Sequence, residues 1–105
     1  MKVKATAQHL GEGQFPTFAK DTPVKMGVTE SRFPHWFPCV IEGHETYVPE
    51  MFVNNGKLVM DYNPTELVAE VGVILDMQEI VCGWLLAANA DGVVGWIPAE
   101  SVISE

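Results

Sequence analysis

The stretch from Gly83 to Pro98 constrains the fold of this chain more than any other part of it. It holds two short apolar runs, each with a tryptophan, on either side of Asn89-Ala90-Asp91-Gly92. An Asp-Gly pair between apolar runs is a strong hairpin signal, because tight turns need residues that tolerate positive φ. Pro98 ends the second run, since proline has no N–H to donate to a strand ladder. We therefore expect a β-hairpin in which Trp84, Trp96 and Pro98 offer an aromatic surface.

A weaker copy of this hairpin occurs earlier in the chain. Trp84 follows Trp36 by 48 residues, and Pro98 follows Pro49 by 49. No convincing helix is apparent, and short strands at this spacing are typical of small barrels or sandwiches. We predict an all-β chain of two tandem repeats with five short strands each, residues 1–54 and 55–105, each forming a small barrel or a sandwich. The two are expected to pack together, because a unit of this size buries little core alone.

Short strands are expected throughout, with turns at glycine and proline. Residues 2–7 alternate polar and apolar side chains, which is typical of an edge strand, and an irregular loop is expected over 8–18. Further strands are predicted at 22–28, 36–41, 45–48, 51–53, 57–62 and 72–77, with a turn-like segment at 29–34, a turn or junction at 54–56 and a final segment at 100–103.

Acidic residues are concentrated in the second half of the chain. The net charge is −8, of which residues 1–55 contribute −1 and residues 56–105 contribute −7. Such a surface repels nucleic acid and anionic membranes and favours a basic partner, although acidity also serves solubility alone. No apolar run approaches the roughly 18 residues of a membrane span, and no signal peptide is recognisable. We expect a cytoplasmic protein.

Cysteine and histidine residues give no indication of catalysis or metal binding. Cys39 and Cys82 have no zinc or redox spacing and are expected to be buried thiols, with a disulfide allowed but not required. His9, His35 and His44 also lack metal-site spacing and are expected at the surface. A thiol–imidazole pair of Cys39 with His35 or His44 would have no recognisable orienting group. We expect no enzyme activity, no cofactor and no metal.

The second copy resembles a Src-homology-3 (SH3) domain along its whole length. Leu58-Val59-Met60-Asp61-Tyr62 stands where that family has Ala-Leu-Tyr-Asp-Tyr, and Gly83-Trp84-Leu85 where it has Gly-Trp-Trp. The segment from Asp91 to Pro98 is similar to the family's Asn-Gly to apolar-Pro signature, and Ala99 to Val102 to its Ser-Asn-Tyr-Val ending. The first copy looks like a degenerate version, with alanines in place of the tyrosines of the opening strand. The resemblance implies two SH3-type barrels.

The resemblance also implies a mode of binding. Family members bind proline-rich peptides in the polyproline II conformation, on a groove of aromatic residues flanked by an acidic pocket. Met60 and Ser101 stand where the second copy would carry further groove tyrosines. The implied ligand-binding residues are Tyr62, Trp84 and Pro98 with the acidic Glu66 and Glu70 in the second copy, and Trp36, Pro49 and Phe52 in the first.

These observations lead to one expected function and two alternatives. We expect a protein- or peptide-interaction module whose ligand is proline-rich and carries Arg or Lys. The first alternative is a structural or oligomerisation domain whose aromatic faces are buried against the sister repeat or another chain. The second is an SH3-type module that binds cell-wall peptides. Burial of the tryptophans would distinguish a packing role from an open groove, whereas the oligomeric state is left open by the sequence.

Overall fold

The regular elements of the computed structural model, which describes residues 1–11, 14–27 and 34–105, are short strands and two turns of 3-10 helix. No α-helix occurs in these ranges, so the predicted all-β class is confirmed. The strands are β1 Lys2–Ala5, β2 Lys25–Met26, β3 Trp36–Ile41, β4 His44–Pro49, β5 Val53–Asn54, β6 Lys57–Leu58, β7 Ile74–Val81, β8 Trp84–Ala88, β9 Val94–Pro98 and β10 Val102–Ser104. The 3-10 turns are η1 Glu50–Phe52 and η2 Ala99–Ser101.

Contacts between residues divide the chain into two compact units. Unit 1 consists of Met1–Gln14 together with Thr65–Glu105, and unit 2 is Phe15–Pro64. Unit 1 is thus built from both ends of the chain, and unit 2 is the segment between them. This division differs in extent from the predicted domains 1–54 and 55–105.

Unit 1 is an antiparallel sheet with the strand order β10-β1-β7-β8-β9. Val3 and Ala5 of β1 point into the core, while Lys2 and Lys4 alternate to the exposed side. β1 lies between β10 and β7, so the prediction of an edge strand is wrong. The sequence of a strand shows which side chains are buried but not whether one or both of its backbone edges are paired. The core of unit 1 contains Val3, Ala5, Leu67, Ala69, Leu75, Leu85, Ala87 and Ile97.

Tight turns connect β7, β8 and β9. Cys82 and Gly83, with φ of 45° and 85°, form the two-residue connection between β7 and β8, as in a type I′ turn. The hairpin predicted from Asp91-Gly92 is confirmed between β8 and β9. Its turn is closed by Asn89 Oδ1, which accepts hydrogen bonds from the N–H groups of Asp91 at 2.9 Å and Val93 at 3.0 Å. β7 itself runs further than the predicted strand 72–77 and contains an irregularity between Met77 and Glu79.

Unit 2 contains a three-stranded sheet, β2-β3-β4, and the two-stranded hairpin β5-β6. β3 covers the predicted strand 36–41, whereas the predicted strand 51–53 is mostly η1. The predicted strand 57–62 is regular only in β6, after which Tyr62 pairs with Phe18 as an isolated bridge. The turn-like segment predicted at 29–34 lies outside the described residues except for Pro34, as does the end of the predicted strand 22–28.

The described strands do not close into barrels. The five-stranded sheet of unit 1 ends at β10 on one side and at β9 on the other, and unit 2 divides its strands between two separate sheets. The strand pairing therefore does not form two closed five-stranded barrels. Alternating burial selects an all-β fold, but closure depends on pairing between strands that are distant in the chain.

Candidate functional site

The residues implied as a ligand-binding groove are distributed between the two units. Unit 1 holds Trp84, Pro98, Glu66 and Glu70, while unit 2 holds Tyr62, Trp36, Pro49 and Phe52. Tyr62 was grouped with Trp84 and Pro98 on sequence grounds, but it belongs to the unit formed by the first-copy residues. Each set is therefore a separate candidate site.

The unit 2 set forms a packed aromatic cluster. Trp36 on β3 faces Pro49 on β4 in register, and the rings of Phe52 and Tyr62 meet edge to face with centroids 5.5 Å apart. The Tyr62 hydroxyl donates a hydrogen bond to the carbonyl oxygen of Tyr47 at 2.6 Å. All four members of the set are buried, with 6% of Trp36 and 3% of Tyr62 exposed. These side chains contribute packing to unit 2 and present no open groove.

The first copy was expected to lack the tyrosines of its opening strand. Tyr62, which comes from the second copy, lies in unit 2 with the groove candidates of the first. Ala7, which occupies the corresponding place in the first copy, is instead an exposed residue of unit 1. A signal for this arrangement was present in Asn55-Gly56. Both residues have positive φ, and together they connect β5 directly to β6. Asn-Gly is the preferred pair for a two-residue hairpin turn, so it favours antiparallel pairing of Lys57-Leu58 with β5.

The unit 1 set is built around β8 and β9. Trp84 begins β8 and is half-buried, and its partner in register, Pro98, is buried. The segment 65–69 runs alongside β9, because Leu67 N–H donates to Trp96 O at 2.8 Å and Trp96 N–H donates to Thr65 O at 3.0 Å. This pairing positions Glu66 beside the hairpin.

Gly95 permits the close approach of the segment 65–69 to β9. A Cβ at Gly95 would lie 2.8 Å from the backbone nitrogen of Leu67, which is closer than Cβ atoms come to other atoms in proteins. Because Gly95 has no side chain, the backbone of Leu67 can pack against β9, and the neighbouring Glu66 is held close to the strand.

His9 completes this site, and the sequence interpretation missed it. Its Nε2 lies 3.0 Å from Glu66 Oε1, and its Nδ1 lies 2.7 Å from the carbonyl oxygen of Leu67. The imidazole also meets the Trp84 ring edge to face, with centroids 5.8 Å apart. We expected a surface histidine, but its side chain is only 14% exposed. No local pattern could have indicated these contacts, since His9 lies far in the chain from all three partners.

The site combines an acidic oxygen with an aromatic ring, which suits recognition of a cation. Glu66 has a side chain that is 22% exposed, so charge–charge attraction there is less screened than at an open surface. Trp84 supplies a ring that can contact an apolar or cationic group. Glu70 lies in the exposed turn before Gly72 and adds negative charge without being part of this contact cluster.

Cys39, His35 and His44, which were considered for a thiol–imidazole pair, have other surroundings. Cys39 is buried, and burial raises the pKa of its thiol to about 11, which leaves it uncharged near neutral pH. His35 Nδ1 instead lies 2.6 Å from Glu50 Oε1, and the ring of His44 contacts the ring of Phe18. Within the described residues, no group of three or more His, Cys, Asp or Glu side chains is placed to hold a metal ion.

None of the described residues belongs to a helix that is long and apolar enough to cross a membrane. Comparisons of the chain with protein-family models, with curated proteins and with solved structures found no match. The chain's own residues are therefore the basis for assigning its function.

Proposed function

We propose that the protein is a non-enzymatic interaction module of SH3-like units that binds a basic, proline-containing peptide through unit 1. The observation that carries this proposal is the contact of Glu66 and Trp84 with the same imidazole, that of His9. A carboxylate and an indole that share one neighbour can contact adjacent cationic and apolar groups of one ligand. The ligand's proline would pack on Trp84, and its Lys or Arg would pair with Glu66.

The SH3-like assignment is supported by where the sequence motifs fall. Gly83-Trp84-Leu85 begins β8, the Gly-Trp-Ile-Pro of the signature lies in β9, and Ala99 to Val102 forms η2 and the start of β10. The order of strand, turn, strand, 3-10 turn and strand is the same in residues 36–54 and 84–104. In both stretches the 3-10 turn follows a proline.

Charge supports the choice of a basic ligand. Residues 56–105 carry most of the net charge of −8. This charge attracts cationic peptides and raises their rate of association, and it disfavours nucleic acid. The proposed ligand is therefore a cationic peptide with an accessible proline.

Unit 2 fits the alternative class, a structural role, better than it fits peptide binding. Its groove candidates Trp36, Pro49, Phe52 and Tyr62 are all buried. A peptide could contact their rings only if the unit rearranged. We propose that unit 2 contributes stability and that unit 1 carries the binding.

The test is a titration of the ¹⁵N-labelled protein with a proline-rich peptide that carries Arg or Lys, followed by NMR. We expect shifts of the Trp84 indole and of the Glu66 amide, with smaller changes at Trp36 and Tyr62. Glu66→Gln should weaken binding several-fold, because it removes the charge that pairs with the ligand. The absence of any shift at Trp84 and Glu66 with millimolar peptide would refute the proposal.

A matched control separates a local contact from general electrostatic attraction. Asp91→Asn removes one negative charge from the exposed turn at the other end of the β8–β9 hairpin. Asp91 contributes its backbone N–H, which donates to Asn89 Oδ1, to the hydrogen bonds of the turn, so the exchange of its carboxylate for an amide keeps that bond. Equal weakening by Asp91→Asn and Glu66→Gln would mean that net charge, rather than a site at Glu66, attracts the peptide.

A further inference from the structure

We propose that His9 occupies the place of the ligand's basic side chain beside Glu66 and Trp84, so that peptide binding to unit 1 displaces the imidazole and releases a proton. This inference rests on the proposed function, since it specifies what the ligand must displace. It adds a property that the peptide-binding role does not require, which is affinity that rises with pH.

The His9 ring lies against two side chains of unit 1. His9 Nε2 is 3.0 Å from the Glu66 carboxylate, and the imidazole lies against Trp84. These are the two groups proposed to contact the ligand's cation and its proline. A Lys or Arg side chain could pair with Glu66 in this location only after the imidazole moves away.

The hydrogen bonds of the His9 ring fix how many protons the contact holds. A carbonyl oxygen only accepts hydrogen bonds, so the 2.7 Å contact with Leu67 O requires a proton on His9 Nδ1. The 3.0 Å contact between Nε2 and Oε1 then needs a second proton, carried by the imidazole or by the carboxyl group. The pair therefore holds one proton more than a neutral histidine beside an ionised glutamate.

The backbone around His9 is anchored independently of its ring. His9 N–H donates to Ala69 O at 2.8 Å, and Ala69 N–H donates to His9 O at 2.9 Å. Gly11 also lies close to the same segment, since a Cβ there would be 3.2 Å from the Glu66 carbonyl oxygen. The imidazole can thus rotate away from Glu66 while the backbone pairing persists.

The direction of the pH dependence follows from this exchange. The Lys or Arg of the ligand brings its own positive charge, so Glu66 stays paired while His9 gives up its proton. The titratable group that faces His9 from the segment 65–69 is Glu66, and from β8 the ring faces Trp84, which has no charge to titrate. Where His9 is charged in the free protein and neutral in the complex, affinity should rise by up to about tenfold per pH unit. Histidine changes its charge within the range of about pH 5 to 8, which sets the window for the measurement.

The experiment compares peptide dissociation constants from pH 5 to pH 8 for the unaltered protein, His9→Gln and His35→Gln. We expect affinity to rise with pH for the unaltered protein and for His35→Gln, and to be nearly independent of pH for His9→Gln. His35 is a matched control, because it also pairs with a glutamate, Glu50, but in unit 2. Calorimetry in two buffers of different ionisation enthalpy should show proton release that is small near pH 5.5, where a displaced imidazole is still mostly charged, and larger at about pH 7. The same pH dependence in His9→Gln would overturn the inference.

A measurement without peptide separates this inference from the proposed function. The ¹⁵N signals of the His9 ring are followed across the same pH range in the unaltered protein and in Glu66→Gln. We expect Glu66→Gln to move the titration of His9 to lower pH, because it removes the paired charge. An unchanged titration overturns the internal pair whatever the peptide does. A changed titration in a protein that binds no basic peptide at any pH, with or without His9→Gln, overturns the proposed function and the displacement.

Discussion

At the level of single residues, the Tyr62 hydroxyl is a buried polar group with a defined partner. Its ring is packed against Phe52, and its O–H donates to the Tyr47 carbonyl at 2.6 Å. Loss of a buried hydrogen bond costs more than the bond's net contribution, because the remaining partner stays desolvated. The residue was implied as a ligand contact, yet the structure gives it a packing role in unit 2.

We predict that Tyr62→Phe lowers the free energy of unfolding by about 1 kcal/mol, since the ring still fills its site while the Tyr47 carbonyl loses its donor. Urea unfolding followed by tryptophan fluorescence measures this difference. Tyr47→Phe is the control, because the Tyr47 side chain is 49% exposed and its phenol is not the acceptor. Equal losses in the two variants would contradict the assignment.

Gly95 is a second position where a single added carbon atom would disturb packing, here the contact with the Leu67 backbone. We predict that Gly95→Ala lowers the free energy of unfolding by about 1–3 kcal/mol, because the added methyl group meets the Leu67 backbone. The same variant should weaken peptide binding, since Leu67 must move and Glu66 moves with it. Urea unfolding and the peptide titration measure the two effects.

Gly43→Ala provides the comparison for Gly95→Ala. Gly43 has a φ of 81° and open space around its Cβ position, so its cost of about 1 kcal/mol comes from backbone strain alone. We expect it to leave peptide binding unchanged. If Gly43→Ala weakened peptide binding as much as Gly95→Ala, then general destabilisation, and not the displacement of Leu67, would explain the weaker binding.

At the level of elements, two-residue turns with positive φ determine which strands are neighbours. Such turns occur at Glu42-Gly43, Asn55-Gly56 and Cys82-Gly83. Each second position is glycine, which adopts this conformation without steric cost. The first positions differ, because asparagine tolerates it well whereas glutamate does so poorly.

We predict that Glu42→Asn raises the free energy of unfolding by roughly 0.5–1 kcal/mol, since Glu42 has a φ of 49° in an exposed turn. Thermal unfolding is a suitable measurement. Glu45→Asn makes the same chemical change in an exposed position of β4 and should be neutral or slightly destabilising, because asparagine is disfavoured in strands. Stabilisation by both variants would point to relief of the net charge rather than to the turn.

Elements with long periodic patterns or clear turn residues were predicted well, and short apolar runs were not. β3 and the β8–β9 hairpin occur where the sequence places them. Met51-Phe52-Val53 was expected to be a strand, but its first two residues belong to η1. Three apolar residues cannot distinguish a period of two from a period of three, so the run identifies burial of Phe52 without its backbone conformation.

At the level of the whole molecule, the first strand of the chain pairs with strands from its second half. β1 pairs with β7 and β10 in unit 1, and the segment containing β6 and Tyr62 belongs to unit 2. β1 therefore joins a sheet whose other strands lie more than sixty residues away in the chain. Removal of the first strand should damage the sheet at the end of the sequence.

We predict that deletion of residues 1–5 abolishes hydrogen-exchange protection in β10, which loses the strand it pairs with, and lowers protection in the first half of β7, which keeps its pairing with β8. Protection in β3 and β4 should persist, since they pair with each other and β3 pairs with β2, but neither pairs with β1. Hydrogen exchange measured by NMR tests this directly. Lys4→Thr, which alters an outward-facing side chain of β1 but keeps its backbone pairing, should leave protection close to its original level. Loss confined to β3 and β4 would show that β1 belongs to the first half instead.

The sequence by itself determined the all-β class, the turn residues, the β8–β9 hairpin and the acidic character, because each depends on local pattern or on composition. Only the tertiary structure decided that β1 lies between β7 and β10, that Tyr62 is packed with Phe52, and that His9 meets Glu66 and Trp84. These pairings join residues far apart in the chain. The local pattern of a strand shows which side chains are buried but cannot choose its partner, because that choice depends on the pairing of the whole sheet.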